Sequence, residues 1–245
     1  MQKLIRILGC LGVAAALSPA ATFTVNAIDS GYYMSTGSHN ASNKNFLVGL
    51  NGSDQFRNYF VFDLAGVTGA VSSVTLNLGQ PAGGLFGSGG GYTSSSASEV
   101  YQLFSVESTI AALMANGVLG NLTIFNDLGN GTSFGTVTVT AASNGTTVAI
   151  ALNAAGISAV QTASGGQFAL GGLLQDLSGA APQYSFDSTG LRQLVINTDG
   201  TGGGTGGTGG TGGTGGTGGA VPEPGTVAML GGALLALGLT RRNNR

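Results

Sequence analysis

The side chains that most often carry enzymatic chemistry are scarce in this chain. His39, in the segment "TGSHNASNKN", is the single histidine, and Cys10 is the single cysteine. Nucleophilic catalysis of the Ser-His-Asp or Cys-His type needs an imidazole base, and no Gly-x-Ser-x-Gly elbow accompanies His39. We therefore predict that His39 is a solvated or turn-capping residue. A zinc site needs several His or Cys ligands, so neither a metal centre nor a cofactor is predicted.

Carboxylates are the remaining groups that could act in catalysis. Nine of them lie between residues 21 and 220, where only Lys44, Arg57 and Arg192 are basic, so the net charge of this span is 3 − 9 = −6. Glycosidases place two carboxylates across a sugar. We expect the nine carboxylates of this span to serve instead in ion pairs, caps and turns, with Arg57 and Arg192 neutralising neighbouring carboxylates. Binding of one calcium ion in a surface loop is an alternative that the sequence leaves open. The chain is predicted not to be an enzyme, and an acidic body without a basic stripe argues against nucleic-acid binding.

Tyrosine side chains offer a different chemistry, which is stacking on the faces of sugar rings. Five were considered for this role: Tyr32, Tyr33, Tyr92, Tyr101 and Tyr184. Exposure in one groove would indicate a lectin-like module, whereas burial would place them in the core. The segment "PAGGLFGSGGGYTSSSAS" lacks the lysine of a phosphate-binding loop and is predicted to be a long loop that could form a binding rim.

Alternating apolar residues predict that residues 22–199 form one mainly β domain. In "NYFVFDL", Tyr59, Val61 and Asp63 oppose Phe60, Phe62 and Leu64, and in "VSSVTLNLG" the residues Val74, Leu76 and Leu78 share a face. Further candidate strands are "FTVNAI", "NFLVGL", "EVYQLFSV", "QFALGGLL" and "RQLVIN". Short strands separated by turns predict an antiparallel, jelly-roll-like sandwich of two β-sheets with one or two short helices.

The segment "GTVTVTAASNGTTVAIAL" predicts the most specific local structure. Asn144-Gly145 is the preferred pair for a two-residue type I′ hairpin turn. That turn would pair Ala141 with Val148, Val139 with Ile150 and Val137 with Leu152, with the threonines on the solvent face.

Two segments predict short helices that cover the open ends of the sandwich. "ESTIAALMANG" has apolar residues at helical spacing, and "NAAGISAVQTASGG" begins with Asn153 as an N-cap and ends at Gly165.

The first 21 residues predict a secretory signal peptide. Lys3 and Arg6 precede an apolar stretch, and small residues follow it. Cleavage is expected near Ala20 or Ala21. The alternative is a retained N-terminal anchor.

The last 46 residues divide into a linker and a short apolar tail. Residues 200–219 repeat Thr-Gly-Gly, which predicts a flexible coil with an end-to-end distance of about 25 Å.

Residues 226–240 are an apolar run that would span about 22 Å as a single transmembrane helix. Arg241, Arg242 and Arg245 follow it and would keep that end cytoplasmic, which places residues 22–199 outside the cytoplasm.

The ending "VPEPGTVAMLGGALLALGLTRRNNR" resembles a known family signature. Pro222, Glu223 and Pro224, then a Gly-rich span, then terminal arginines, closely resemble the sorting tail of PEP-CTERM proteins of Gram-negative bacteria over about 25 residues. The resemblance implies that residues 220–245 are a sorting signal read by an integral-membrane protease-transpeptidase, exosortase, with Pro222, Glu223 and Pro224 as its recognition residues. It also implies an association with exopolysaccharide and biofilm matrix. The alternative for the tail is a plain stop-transfer segment.

These observations predict a secreted or cell-surface structural protein of the extracellular matrix, non-catalytic and held temporarily in the inner membrane during sorting. The alternative is a lectin-like module that binds exopolysaccharide. A glycan-active enzyme would need a cleft with two carboxylates about 5–10 Å apart.

Overall fold

The structure is a computed structural model that describes residues 20–84, 86–87, 89–177 and 182–200. This part of the chain contains ten strands, three short α-helices and one 3₁₀ helix. The strands are β1 (Ala21–Met34), β2 (Val48–Asn51), β3 (Asp54–Asp63), β4 (Ala70–Gly79), β5 (Glu99–Ser105), β6 (Ser133–Val139), β7 (Thr147–Ala151), β8 (Gln167–Leu174), β9 (Gln183–Ser185) and β10 (Arg192–Asp199). The α-helices are α1 (Ile110–Leu113), α2 (Thr123–Asp127) and α3 (Ala154–Ala163), and the 3₁₀ helix is Ala141–Ser143.

The strands form an antiparallel, nearly closed barrel-like sheet. Their order is β6-β5-β8-β3-β1-β10-β4-β7, and β2 pairs with both β3 and β9 off this path. The predictions of a mainly β domain, antiparallel strands and few short helices are confirmed. The strands do not separate into two independent sheets, because β1 pairs with β10 through its first half and with β3 through its second half.

Strand β1 joins the two halves of the sheet because it is long and changes partner at an irregularity. Its register with β3 shifts between Ala27 and Asp29, and Ile28 at the shift is 51% exposed. Residues before the shift alternate between half-buried and exposed, whereas most of those after it are buried. A bulge of this kind bends and twists a strand, which lets β1 pass from one half of the sheet to the other.

The interior of the barrel is apolar and accounts for the alternation seen in the sequence. Val74, Leu76 and Leu78 of β4 are all buried in it, as predicted. Strand β3 contributes Phe60 and Phe62 to the interior, while its opposite face packs beneath the helices α1 and α2. Strand β3 is therefore covered on both faces, which explains its nearly continuous run of aromatic and aliphatic residues.

The predicted hairpin between β6 and β7 is wrong, and the predicted faces are right within the two strands but not at Ala141, which is exposed in the 3₁₀ helix. Strand β6 pairs with β5, and β7 pairs with β4, so no ladder joins β6 to β7 among the described strand pairs. Val139, Val148 and Ile150 are buried, and Thr136 and Thr138 are exposed, as the alternation predicted. The pattern determined the faces of each strand but not its partner.

The hairpin fails because Asn144 does not adopt the backbone conformation that a type I′ turn requires. Such a turn needs a positive φ at both central residues, and only Gly145 has one, at 73°. Asn144 is extended, with φ −63° and ψ 135°, and follows a 3₁₀ helix that a capping box between Thr140 and Ser143 holds. Its side-chain Oδ1 accepts from the Tyr92 backbone N–H at 2.6 Å, so long-range contacts fix this corner.

Two of the three helices are predicted by the sequence, and the predicted N-cap of α3, Asn153, is confirmed. Thr109 caps α1, and the Asn153 side chain accepts from the Gly156 N–H at 3.0 Å to cap α3. Helix α3 packs against β4, β6 and β8. Helix α1 lies instead over the outer face of the sheet, where Leu113 packs with Tyr33 and Tyr59. The short helix α2 was not predicted.

Helices in the described ranges are too short or too polar to span a membrane. The predicted signal peptide up to residue 19, the linker from residue 201 and the predicted transmembrane segment 226–240 lie outside the described residues. The same holds for Pro222, Glu223 and Pro224 and for Arg241, Arg242 and Arg245.

Candidate functional site

His39 lies in the segment after β1 and is buried, with 6% of its surface exposed. Its Nδ1 lies 2.8 Å from the backbone carbonyl of Tyr32, and its Nε2 lies 3.3 Å from the Tyr59 hydroxyl. A carbonyl only accepts, so Nδ1 carries the proton and donates, and Nε2 accepts from the Tyr59 O–H. Both ring nitrogens are therefore occupied by structural partners.

Aromatic rings and a glycine surround the imidazole. It stacks on Tyr33 with ring centroids 4.3 Å apart and meets the edge of Tyr59 at 5.5 Å. Gly31 lies beneath, and a Cβ there would be 2.9 Å from His39 Cε1 and 2.8 Å from Tyr59 Cε1. The prediction of a solvated or turn-capping histidine is wrong, because the aromatic residues of β1 and β3 provide a pocket for the ring. We call His39, Tyr33 and Tyr59 the His39 cluster.

The titration of the His39 cluster follows from this burial. Removal from water disfavours the charged imidazolium and lowers the pKa of His39, an effect larger than the opposing influence of the Tyr32 carbonyl and of Asp29. Burial also raises the pKa of Tyr33 to about 12. The cluster is thus a neutral packing unit at physiological pH, and its histidine has no nitrogen free to accept a proton from a substrate.

Asp29 forms the salt bridge beside the His39 cluster. Its carboxylate is 3% exposed and lies 2.8 Å from Lys44 Nζ, and it also accepts from the Ser30 N–H at 2.6 Å. A buried carboxylate needs such partners, because an unpaired charge in the interior is costly. Asp127 similarly accepts from the backbone N–H groups of Glu107 and Ser108. These two carboxylates have the structural roles that were expected.

The two arginines of the domain do not neutralise carboxylates. Arg57 donates from Nη1 to the carbonyls of Phe125 and Asn126 at 3.0 and 3.2 Å, and its guanidinium lies 4.3 Å from the centre of the Phe125 ring. Arg192 donates to the carbonyls of Thr189 and Gly190. Neither arginine forms an ion pair among the described residues, although Asp29 lies close enough to Arg192 to favour its charged form. Both guanidinium groups instead donate to main-chain carbonyls.

The tyrosines considered for sugar stacking do not line a groove. Tyr33, Tyr92, Tyr101 and Tyr184 are buried, and Tyr32 is half-buried. The hydroxyl of Tyr101 donates to Asn58 at 2.9 Å, and that of Tyr92 donates to the Ser96 carbonyl at 2.8 Å. This arrangement counts against a lectin that stacks sugars on tyrosine.

A cavity with a volume of about 620 Å³ lies beside α3. Its walls come from the end of β5 and the segment after it, the start of β6, one side of α3 and the start of β8. The lining residues are Ser105, Val106, Ser108, Ile110, Thr132, Phe134, Ala155, Ser158, Ala159, Thr162, Ala163, Gln167, Phe168 and Ala169. We call this space the α3 cavity. It is within the size range of small-molecule sites, about 300–1,000 Å³.

The α3 cavity has a polar rim and an apolar lining. Phe134 and Phe168 are buried and stack with ring centroids 6.3 Å apart. Thr132, Ser158 and Gln167 are exposed. Among these described lining residues there is no Asp, Glu, Lys, Arg or His. The cavity therefore does not bring together the carboxylate pair that a glycosidase needs.

Sequence reasoning missed the residues of this cavity, although one pattern pointed to them. Ala155, Ser158, Ala159 and Thr162 are spaced i, i+3, i+4 and i+7, so they share one side of α3. The segment was recognised as a helix, but its small residues were not recognised as the wall of a cavity. The opposite wall comes from residues 105–134, which no local pattern places beside α3.

A smaller cavity of about 390 Å³ lies at the Gly-rich loop that was predicted as a binding rim. Asp187 lines it, is 1% exposed, and accepts from the N–H groups of Gly87 and Gly90 at 2.5 and 3.2 Å. Asn45 donates its side-chain amide to the other oxygen of Asp187. The carboxylate is thus an anchor for the loop, surrounded by N–H donors that a bound cation would displace.

Groups of three or more His, Cys, Asp or Glu residues placed to hold a metal ion are absent from the described residues. No model of a known protein family matches the chain, and no curated protein matches it significantly.

Proposed function

We propose that the protein is a secreted or cell-surface structural component of the extracellular matrix, delivered by an exosortase and non-catalytic. The sequence of the C-terminal tail carries this proposal: Pro222, Glu223 and Pro224, then an apolar span at residues 226–240, then three arginines in the last five residues. In this proposal the span crosses the inner membrane, and Arg241, Arg242 and Arg245 face the cytoplasm until exosortase removes the tail. Residues 22–199 are the exported module, of the jelly-roll-like class.

The positions of the two ends of the barrel support such an arrangement. The first residue of β1, Ala21, pairs with Thr198 near the end of β10. The chain therefore enters and leaves the barrel at adjacent points, directly before the Thr-Gly-Gly linker begins. A domain with this topology can be held by one end of its linker while its other surfaces stay accessible to matrix components.

The mass of the mature protein in native cell-surface and culture fractions tests the proposal. We expect loss of the first 20 or 21 residues and of everything after about Pro222. Replacing Pro222, Glu223 and Pro224 by alanine should leave the tail attached, whereas Thr217→Ala in the linker is the matched control and should be processed normally. An exported protein that still carries Arg245 would overturn the sorting proposal and leave a membrane-anchored protein.

The α3 cavity favours exopolysaccharide binding as a second candidate function. Its walls are uncharged and combine hydroxyl groups with apolar side chains. That composition suits a neutral carbohydrate better than a nucleic acid or another polyanion, which would require basic side chains.

A further inference from the structure

We propose that the α3 cavity binds a segment of an uncharged polysaccharide, with the apolar sugar faces against the small side chains of α3 and the sugar hydroxyls at the polar rim. This inference deepens the proposed function, since it rests on that function for the presence of the ligand outside the cell. The tyrosines contribute nothing to the site, because they are buried elsewhere.

Unused hydrogen-bonding groups at the rim are the first argument. In the described structure, the Ser108, Thr132 and Ser158 hydroxyls and the Gln167 amide make no side-chain hydrogen bond to protein, whereas Thr162 donates to the Ser158 carbonyl at 2.9 Å. These free groups come from four different segments that meet at one cavity. Each hydroxyl can both donate and accept, and so can the amide, which matches the mixed character of sugar hydroxyls.

The absence of charge is the second argument. The described lining residues provide no cation for a sulfate or uronate and no anion for an amine. A charged ligand would lose water there without gaining a counter-ion, which is unfavourable. A neutral ligand loses only hydrogen bonds to water, and the rim can replace these.

The shape of the walls is the third argument. Ala155, Ala159 and Ala163 on α3 and Ala169 on β8 are small, so a flat ring can approach the backbone closely. Phe134 and Phe168 also line the cavity, but they are only 4% and 7% exposed, so the alanines rather than the rings provide apolar surface for a ligand. A sugar ring has apolar C–H faces and a polar edge, so its two kinds of surface match the alanine wall and the rim. An acyl chain would leave the hydroxyls of the rim without partners.

Binding of defined oligosaccharides to the purified full-length chain in mild detergent tests the inference. The probes are cellohexaose, maltohexaose and mannohexaose, with a hexameric oligogalacturonate as the charged comparison and laurate as the apolar comparison. We expect calorimetry to detect binding of at least one uncharged hexasaccharide and weaker or no binding of oligogalacturonate and laurate.

Variants on one helix locate the binding site. Ser158→Phe should fill the cavity and weaken binding by about tenfold or more, whereas Ala154→Phe, exposed on α3 and outside the cavity, should change it by less than about twofold. Gln167→Ala removes an exposed amide with little effect on folding and should weaken binding about fivefold. Melting temperatures of each variant show that the fold is retained, and Thr162→Phe replaces Ser158→Phe if that variant does not fold.

Several outcomes would overturn the inference. These are no binding of any uncharged hexasaccharide at millimolar concentration, tighter binding of oligogalacturonate or laurate, and unchanged saccharide binding by the folded cavity-filling and Gln167→Ala variants. Because the purified chain is used, none of these outcomes depends on sorting. Conversely, an unprocessed tail in the mass measurement would overturn the sorting proposal and leave a positive binding result intact.

Discussion

The His39 cluster and the α3 cavity use opposite residue chemistry in different parts of one barrel. The cluster covers the outer face of β1 and β3 and contains the single histidine of the chain, yet both imidazole nitrogens are bonded to protein groups. The cavity is built from Ser, Thr, Gln, Ala, Val, Ile and Phe, and several of its polar groups make no side-chain hydrogen bond to the described part of the protein. Hydrogen-bond partners and solvent access, more than intrinsic reactivity, therefore decide which residues of this chain are available to a ligand.

The largest expected contrast is in stability. Tyr59→Leu should lower the free energy of unfolding by about 3 kcal/mol, because it leaves a void in a fully buried site and removes the hydrogen bond to His39 Nε2. Ser158→Ala in the α3 cavity should change it by less than about 0.5 kcal/mol, since that side chain is exposed. Urea denaturation of the full-length chain measures both. Equal effects of the two substitutions would remove the distinction between a packed cluster and an open cavity.

The close approach of rings to Gly31 gives the next largest effect. Gly31→Ala should lower the free energy of unfolding by about 2 kcal/mol, because its Cβ would lie within 3.0 Å of Tyr59 and His39 atoms. Gly66→Ala is the matched control, since a Cβ there meets nothing within 4 Å, and it should be neutral or slightly stabilising. A tolerated Gly31→Ala would mean that the His39 cluster can shift outward and is less tightly packed than its geometry indicates.

A smaller effect is expected at the start of α3, where the cavity wall depends on a cap. Asn153→Ala should cost about 1 kcal/mol of stability by removing the cap on Gly156. It should also weaken saccharide binding, because α3 carries one wall of the cavity. Asn153→Asp keeps the cap acceptor and loses the donor that bonds the Ser133 carbonyl. If the two variants lose equal stability, the hydrogen bond from the Asn153 amide to the Ser133 carbonyl contributes more than the cap on the Gly156 N–H.

Much of the fold followed from local sequence patterns. Alternation, helical spacing and a capping residue predict strands β1–β8 and β10, the buried faces of β4, β6 and β7, and the helices α1 and α3, but they do not predict the short strand β9. Strand partners were not predicted, because alternation specifies which side of a strand is buried and contains no information about its neighbour. At Asn144 the local preference for a hairpin yields to its hydrogen bond with Tyr92, which is 52 residues away in sequence.

The candidate site was less predictable than the fold, for a related reason. His39 was interpreted from its polar flanking residues, but its burial depends on Gly31, Tyr33 and Tyr59, which reach it only after β1 and β3 pair. The α3 cavity consists of common residues from four segments and has no distinguishing motif. Residue types could indicate which chemistry is scarce in the chain, whereas the location of an accessible surface depends on the assembled barrel.

The smallest expected effect is the pH dependence that His39 gives to stability. Its pKa is lowered in the folded protein from the ordinary value of 6.5, mainly by burial. Between 6.5 and the lowered pKa the unfolded chain binds more protons than the folded one, so stability should fall as the pH decreases through this window. Above pH 6.5 the ring is neutral in both the folded and the unfolded state, so the contribution of His39 to the free energy of unfolding is constant there.

Comparison of the wild type with His39→Gln isolates this contribution, because other titrating groups are common to both proteins. Asp29 favours the protonated ring but has a smaller influence than burial, and Lys44 disfavours the protonated ring, as burial does. The difference in free energy of unfolding between the two proteins should therefore shrink as the pH decreases below 6.5, since the wild type alone loses stability through His39. A difference that stays constant from neutral to acidic pH would show that the folded protein protonates this ring as readily as the unfolded chain. The His39 cluster would then be as open to water as the α3 cavity, and the contrast between the two regions would rest on hydrogen bonding alone.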